Sequence, residues 1–81
     1  MPRYFFHIQH RKRNPDEIGM DLPDIDAAWK EATVTAGKYL QDLDGTLKPS
    51  HEWRMEITDE AGNLNWVLRL LAERHRQGIK A

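Results

Sequence analysis

The sequence predicts an α+β fold, a two-layer ββαββ sandwich in which a four-stranded antiparallel sheet is covered on one face by one long helix. Three observations predict it. The chain from Asp24 to Gly45 reads as one capped amphipathic helix. Two stretches before it and two after it alternate apolar and polar residues with the period of a strand. Turn-forming residues separate the members of each pair, so each pair reads as a hairpin.

The first strand spans Arg3 to Gln9, with Tyr4, Phe6 and Ile8 on one face and Phe5 and His7 on the other; Pro2 is tolerated at its start. Residues Arg11 to Asp16 are charged and contain Asn14-Pro15-Asp16, a turn composition. Ile18, Met20 and Leu22 then alternate with Glu17, Gly19 and Asp21, a short edge strand that Pro23 ends. In the helix, Asp24 stands at the N-cap, Asp26 lies in the first turn, where the macrodipole favours an anion, and Gly45 follows the last apolar residue. Ile25, Ala28, Trp29, Ala32, Ala36, Tyr39, Leu40 and Leu43 fall within one arc of roughly 120° on a helical wheel. Trp29 and Tyr39 should meet Phe6, Trp53 and Trp66.

Beyond a loop from Asp44 to Glu52, Trp53, Met55 and Ile57 alternate with Arg54, Glu56 and Thr58. Asp59-Glu60-Ala61-Gly62-Asn63 fits a type I turn with Gly62 in the left-handed position, and Leu64, Trp66, Leu68 and Leu70 alternate beyond it. The first and last long strands are expected at the sheet centre, because the second carries Gly19, Asp21 and Pro23, all suited to an edge. Residues 1–70 form a single ββαββ domain, and 71–81 a basic, frayed tail in which Leu71, Ala72 and His75 could form a helical turn.

A chain of 81 residues buries only about 60–65% of its unfolded surface, and dimerisation would enlarge its small core. Cysteine is absent, which removes disulfides and thiolate chemistry and fits a reducing compartment. With no targeting signal and no run approaching ~20 apolar residues, a cytoplasmic location with no membrane association is expected. The net charge of −1 hides an uneven distribution. Residues 1–13 carry +4 and 61–81 carry +3, while 14–60 carry −8. Such asymmetry can mark a nucleic-acid patch, but a dedicated nucleic-acid domain usually has a pI above about 9.

No side-chain constellation points to catalysis. His7, His10, His51 and His75 include no i, i+4 pair for a metal, and Ser50-His51 lacks the elbow that aims a nucleophile. Asp24 with Asp26 and Asp42 with Asp44 belong to helix ends, and the five glycines are scattered rather than gathered into a phosphate loop. The expectation is therefore no catalytic residue, no metal and no cofactor, and not an enzyme.

One surface stands out. If Tyr4, Phe6, Trp53, Met55, Trp66 and Leu68 face the helix, the opposite sheet face presents Arg3, Phe5, His7, Arg54, Val67 and Arg69, together with Glu56 and Asn65. Phe5 for stacking and Arg3, Arg54 and Arg69 for phosphates would suit single-stranded nucleic acid. Phe5 and Val67 as an apolar centre with a charged rim would suit a homodimer or another protein partner. The second reading is preferred, because one exposed aromatic is a thin stacking platform.

Pro2-Arg3-Tyr4-Phe5-Phe6-His7, then Asp21-Leu22-Pro23-Asp24 opening a helix with Ala27, Ala28 and Ala32, then Asp59-Glu60-Ala61-Gly62, together resemble a family of small uncharacterised bacterial proteins, a domain of unknown function. The resemblance spans roughly residues 2 to 70, implies no active site, and stops short of the basic tail after Leu71. A looser likeness over residues 3 to 40 is to HicB-type antitoxins, though the glycine-containing Pro-Asp-Leu-Pro-Gly signature is missing and no DNA-binding element follows. The expected function is a non-enzymatic, self-associating interaction module, with nucleic-acid binding or a HicB-like regulatory role as the alternative.

Overall fold

A computed structural model describes residues 1–43, 47–48 and 51–75. Its elements are β1 (Arg3–His10), β2 (Lys12–Asn14), β3 (Met20–Asp21), α1 (Ile25–Leu43), β4 (Glu52–Asp59) and β5 (Leu64–Leu71). The strands form one antiparallel sheet in the order β2-β1-β4-β5, with β3 beside the other half of β1. The fold is α+β, with α1 packed on β4 and β5. The expected helix terminator Gly45, Ser50 and residues 76–81 of the tail lie outside the described residues.

The helix forms as its sequence dictates. Asp24 Oδ1 accepts the Ala27 N–H at 2.8 Å, and the Asp24 carbonyl accepts the first helical hydrogen bond from Ala28 at 3.2 Å. Ala28, Ala32 and Ala36 are its fully covered residues, an i, i+4 stripe of methyl groups. Their smallness lets the backbone approach a sheet whose own side chains are large, with Trp53, Met55 and Ile57 at no more than 1% exposure. Trp29 packs on Trp66 at 4.8 Å between ring centroids, and the Trp66 indole N–H donates to the Ile25 carbonyl at 3.1 Å. Tyr39 meets Trp53 at 5.9 Å. The arc is narrower than the sequence suggests, since Ile25, Tyr39 and Leu40 stay exposed at its margins.

Four expectations are corrected. The second strand is shortened to Met20–Asp21, because the Asp16 carboxylate binds the N–H groups of Ile18 and Gly19 and folds that stretch into a turn, while part of the expected Arg11–Asp16 turn forms a strand of its own, Lys12–Asn14, so that the sheet counts five strands. Ile18 is consequently 77% exposed rather than part of an alternating strand. The strand order places β1 beside β4 and leaves β5 at an edge, so the last long strand is not central. Any order of these hairpins satisfies the same alternation, so the alternation alone does not select β1-β4 neighbours over β1-β5.

The third correction is local to β5. Ile57 pairs with Trp66 but Thr58 pairs with Leu64, so one extra residue, Asn65, bulges out. A one-residue slip reverses the side on which every earlier residue points, and Leu64 leaves the helix side at 54% exposure. Fourth, Leu71 continues β5, and residues 72–75 form neither helix nor strand.

The β4–β5 turn matches its sequence. Gly62 adopts φ +84°, and Asp59 Oδ1 accepts the N–H groups of Ala61 and Asn63 at 3.0 and 2.9 Å. The Asn63 backbone and side-chain N–H groups hold the Asp59 carboxyl below its ordinary range.

The alanine stripe yields a test. Ala32→Leu should overpack the helix–sheet contact and cost about 1–3 kcal/mol. Urea denaturation reads it as a lower midpoint at unchanged slope, and an unchanged midpoint would remove the stripe from the contact.

Candidate functional site

The sheet has two edges, and they differ in construction. Along β1, β2 pairs only with Ile8 to His10 and β3 only with Arg3 and Tyr4. The gap between them would leave the outward Phe6 N–H unpaired, and Asp16 Oδ2 accepts it at 3.1 Å. The other Asp16 oxygen takes Ile18 N–H at 3.0 Å and Gly19 N–H at 3.1 Å. Burial alone raises the Asp16 pKa, but the hydrogen bonds from Phe6, Gly19 and Ile18 outweigh it and hold the carboxyl below its ordinary range. One side chain thus replaces a missing stretch of strand.

The turn that Asp16 shapes reaches onto the sheet face away from the helix. Gly19, at φ +75°, lies so close that a Cβ there would stand 2.8 Å from Arg3 Cγ and 2.9 Å from the Phe5 ring. Arg3 clasps this turn, donating to the Ile18 carbonyl at 2.7 Å and pairing with Asp21 at 3.1 Å. Phe5 stacks on His7 with centroids 6.4 Å apart. His7 Nδ1 accepts the Asp16 N–H at 3.0 Å, so Nε2 carries the proton and donates to Thr58 Oγ1 at 2.9 Å. Arg3, Phe5 and His7 therefore share one neighbourhood, and all three are engaged with the turn.

Toward the centre of that face, Glu56 receives Arg13 at 2.7 Å and Arg54 at 2.9 Å. The Arg13 hydrogen bond is the largest influence on the Glu56 carboxyl, partial burial opposes it, and the Arg54 charge joins Arg13 in holding the group below its ordinary range. Arg54 stands directly across the ladder from Arg69, an unfavourable pairing of like charges. Glu56 and Glu52 relieve it, the latter lying 3.4 Å from Arg69. Each arginine expected to meet phosphate, Arg3, Arg54 and Arg69, already holds a carboxylate.

The β5 margin is different. Val67 and Arg69 lie on this face as expected, and the bulge and the strand's extension add Leu64 and Leu71, the latter 58% exposed. Among the described residues no strand pairs with the outer edge of β5. Its eight residues hold one charge, Arg69, and neither proline nor glycine. Leu64 and Leu71 are missing from the sequence-derived surface because strict alternation puts Leu64 under the helix and the strand's end at Leu70.

Two hollows flank the sheet. One of about 340 Å³ lies between the helix and the split edge, lined by Phe6, Ile8, Met20, Glu31, Thr35 and Tyr39 among others. Another of about 250 Å³ is lined by His10, Arg11, His51 and Glu52. No group of three or more metal-ligating side chains is placed to hold an ion among the described residues.

A family profile described as Domain of unknown function (DUF6894) matches residues 3–72. The chain belongs to that family. The matched stretch runs from the first residue of β1 to just past the last of β5, so the DUF6894 domain comprises the whole sheet and its helix. No curated protein and no solved structure matches the chain. No helix among the described residues is long and apolar enough to cross a membrane.

Two carboxylates of this DUF6894 domain link its stability to pH. Asp16 and Glu56 both have folded pKa values below their unfolded ones. The stability they contribute is fully present above about pH 5 and is lost as pH falls through the lowered folded values. Asp16→Asn turns one acceptor into a donor facing N–H groups and should cost about 1–3 kcal/mol at neutral pH. Its acid-induced loss of stability should also be shallower than wild type in denaturant titrations across pH; parallel curves would refute the role of Asp16. Glu56→Gln should cost about 1 kcal/mol, since Arg13 is half exposed, and the difference should shrink in about 1 M salt as the Arg54–Arg69 repulsion is screened. A salt-independent difference would refute the electrostatic account.

Proposed function

We propose that this domain is a non-enzymatic interaction module that self-associates as a homodimer through the β5 margin of its sheet. One observation carries the reading, the contrast between the two edges. At the β1 edge the strands are short, Lys12 and Arg13 add charge, and Asp16 caps the exposed donor between them. These are devices by which proteins prevent strands from pairing edge to edge. At β5 they are reduced to the bulge at Asn65 and the single charge of Arg69: the strand is otherwise long and apolar, with Leu64 and Leu71 open to solvent. An unguarded apolar edge in a small domain is suited to pairing. The reading is non-enzymatic because the polar side chains of the open face are consumed in ion pairs and turn contacts. The lack of cysteine fits a module working in the cytoplasm.

Nucleic-acid binding through the same face finds less support. Its arginines would have to leave Asp21, Glu56 and Glu52, and Phe5 is partly covered by Gly19.

Sedimentation across the micromolar range should show a monomer–dimer equilibrium. Leu64→Lys combined with Leu71→Lys changes two exposed residues and should weaken dimerisation about tenfold or more without altering the folded monomer. A wild-type protein that stays monomeric at every concentration would overturn the proposal.

A further inference from the structure

Resting on the self-association reading, we infer that the second copy pairs antiparallel along β5 in a two-fold register centred on Leu68, so that Val67 lies opposite Arg69 of the other copy. The direction of the backbone groups carries the first step. Phe6 N–H points away from β4, to Asp16, so Phe6 and Ile57 form a non-hydrogen-bonded pair, and the backbone groups of Trp53, Met55 and Ile57 turn to β5. Their partners there are Leu70, Leu68 and Trp66. It follows that Val67, Arg69 and Leu71 direct their N–H and C=O groups outward, where a second strand can bond them.

Register is the second step. In a two-fold antiparallel pair of identical strands, outward residues must face outward residues, which any centre on a residue satisfies; a centre at Trp66 sets the bulged Asn65 against Val67 and one at Leu70 pairs only residues 69 to 71, which leaves Val67, Leu68 or Arg69. A centre at Arg69 sets that guanidinium against its own copy, a like-charge opposition. A centre at Val67 places the bulged Asn65 opposite Arg69, where the ladder is irregular. The centre at Leu68 uses the regular run from Trp66 to Leu70 in full and sets the bulged Asn65 only against Leu71, at the end of the strand. Val67 and Arg69 exchange backbone hydrogen bonds on both sides of the axis. On the helix side, Leu68 meets Leu68 and Trp66 meets Leu70, extending the apolar layer from one copy into the next. Arg69 lies over Val67 and keeps Glu52 as its counter-ion.

The chain has no cysteine, so an introduced thiol reports position without competition. Val67→Cys and Arg69→Cys chains are oxidised mildly, each alone and mixed, and disulfide-linked dimers are counted beside sedimentation of the same samples. Residues 67 and 69 of opposite copies would lie about 5.5 Å apart between Cα atoms, within disulfide range. Residue 67 would lie roughly 9 Å from its own copy, beyond that range. The mixture should therefore cross-link several-fold faster than either chain alone. Fastest linking by Val67→Cys alone, or by Arg69→Cys alone, would overturn the register in favour of a centre at that residue. Dimers in sedimentation with no cross-link in any sample would overturn β5 pairing while leaving self-association standing. Monomers throughout would overturn both.

Discussion

A single helix must serve as the only described cover for a sheet four strands wide, and the rest of the molecule follows from that shortage. A helix with its side chains is about 10–12 Å across, while neighbouring strands are spaced about 4.8 Å apart, so α1 can shield little more than two of them. It rests on β4 and β5. The alanine stripe brings it close, and the large residues are supplied from below by Trp53, Met55 and Ile57. Among the described residues eight hydrophobic residues are buried, three of them alanines, which is a thin core. Everything outside the helix's footprint has to be stabilised by other means.

At the β1 side those means are polar. Asp16 supplies the acceptor that a continuous edge strand would have supplied, and the turn it creates delivers Gly19 beneath Phe5 and the Ile18 carbonyl to Arg3. Glu60 adds an acceptor for the Arg3 N–H at the far end of the same strand. The open face is tied in the same manner, with Glu56 set between Arg13 and Arg54. Such exposed pairs contribute little singly, but they relieve the like-charge opposition across the ladder. These polar devices stop short of β5, whose outer edge no described strand pairs with.

Much of this was legible in the residues and some was not, for identifiable reasons. The Asp24 cap, the alanines four apart and Gly62 in its turn are local signals, and each is where the sequence puts it. Strand order is not local: β1-β4 and β1-β5 neighbours satisfy the same alternation, and nothing in either hairpin selects between them. Ile18 has the composition of a strand residue, but the three N–H groups bound by Asp16 impose a turn that alternation cannot reveal. The candidate surface was half legible. Arg3, Phe5, His7, Arg54, Val67 and Arg69 do share a face, but Arg3, Phe5 and His7 are spent on the Asp16 turn, while Leu64 and Leu71 were hidden by a one-residue bulge and by the length of β5. A run of eight residues with one charge, LNWVLRLL, was the available signal for an unguarded edge.

The shortage of cover also bears on why this domain would associate at all. Joining two sheets along β5 adds no second layer to either, yet it changes what each helix has to shield. Trp66, Leu68 and Leu70 are partly buried and lie at the margin of the core; with a second copy beside them their outer flanks meet apolar side chains instead of water. The backbone groups of Val67 and Arg69 would exchange solvent for partners at the same time, which offsets the cost of covering them. The opposite faces would then merge into one surface whose central strip pairs Val67 of each copy with Arg69 of the other, each Arg69 keeping Glu52 as its counter-ion. Such a surface is twice the width that one domain can present, and it exists only when the β5 edges are joined. Self-association is in this sense the step that would turn a thinly covered sheet into a platform large enough to engage a further partner.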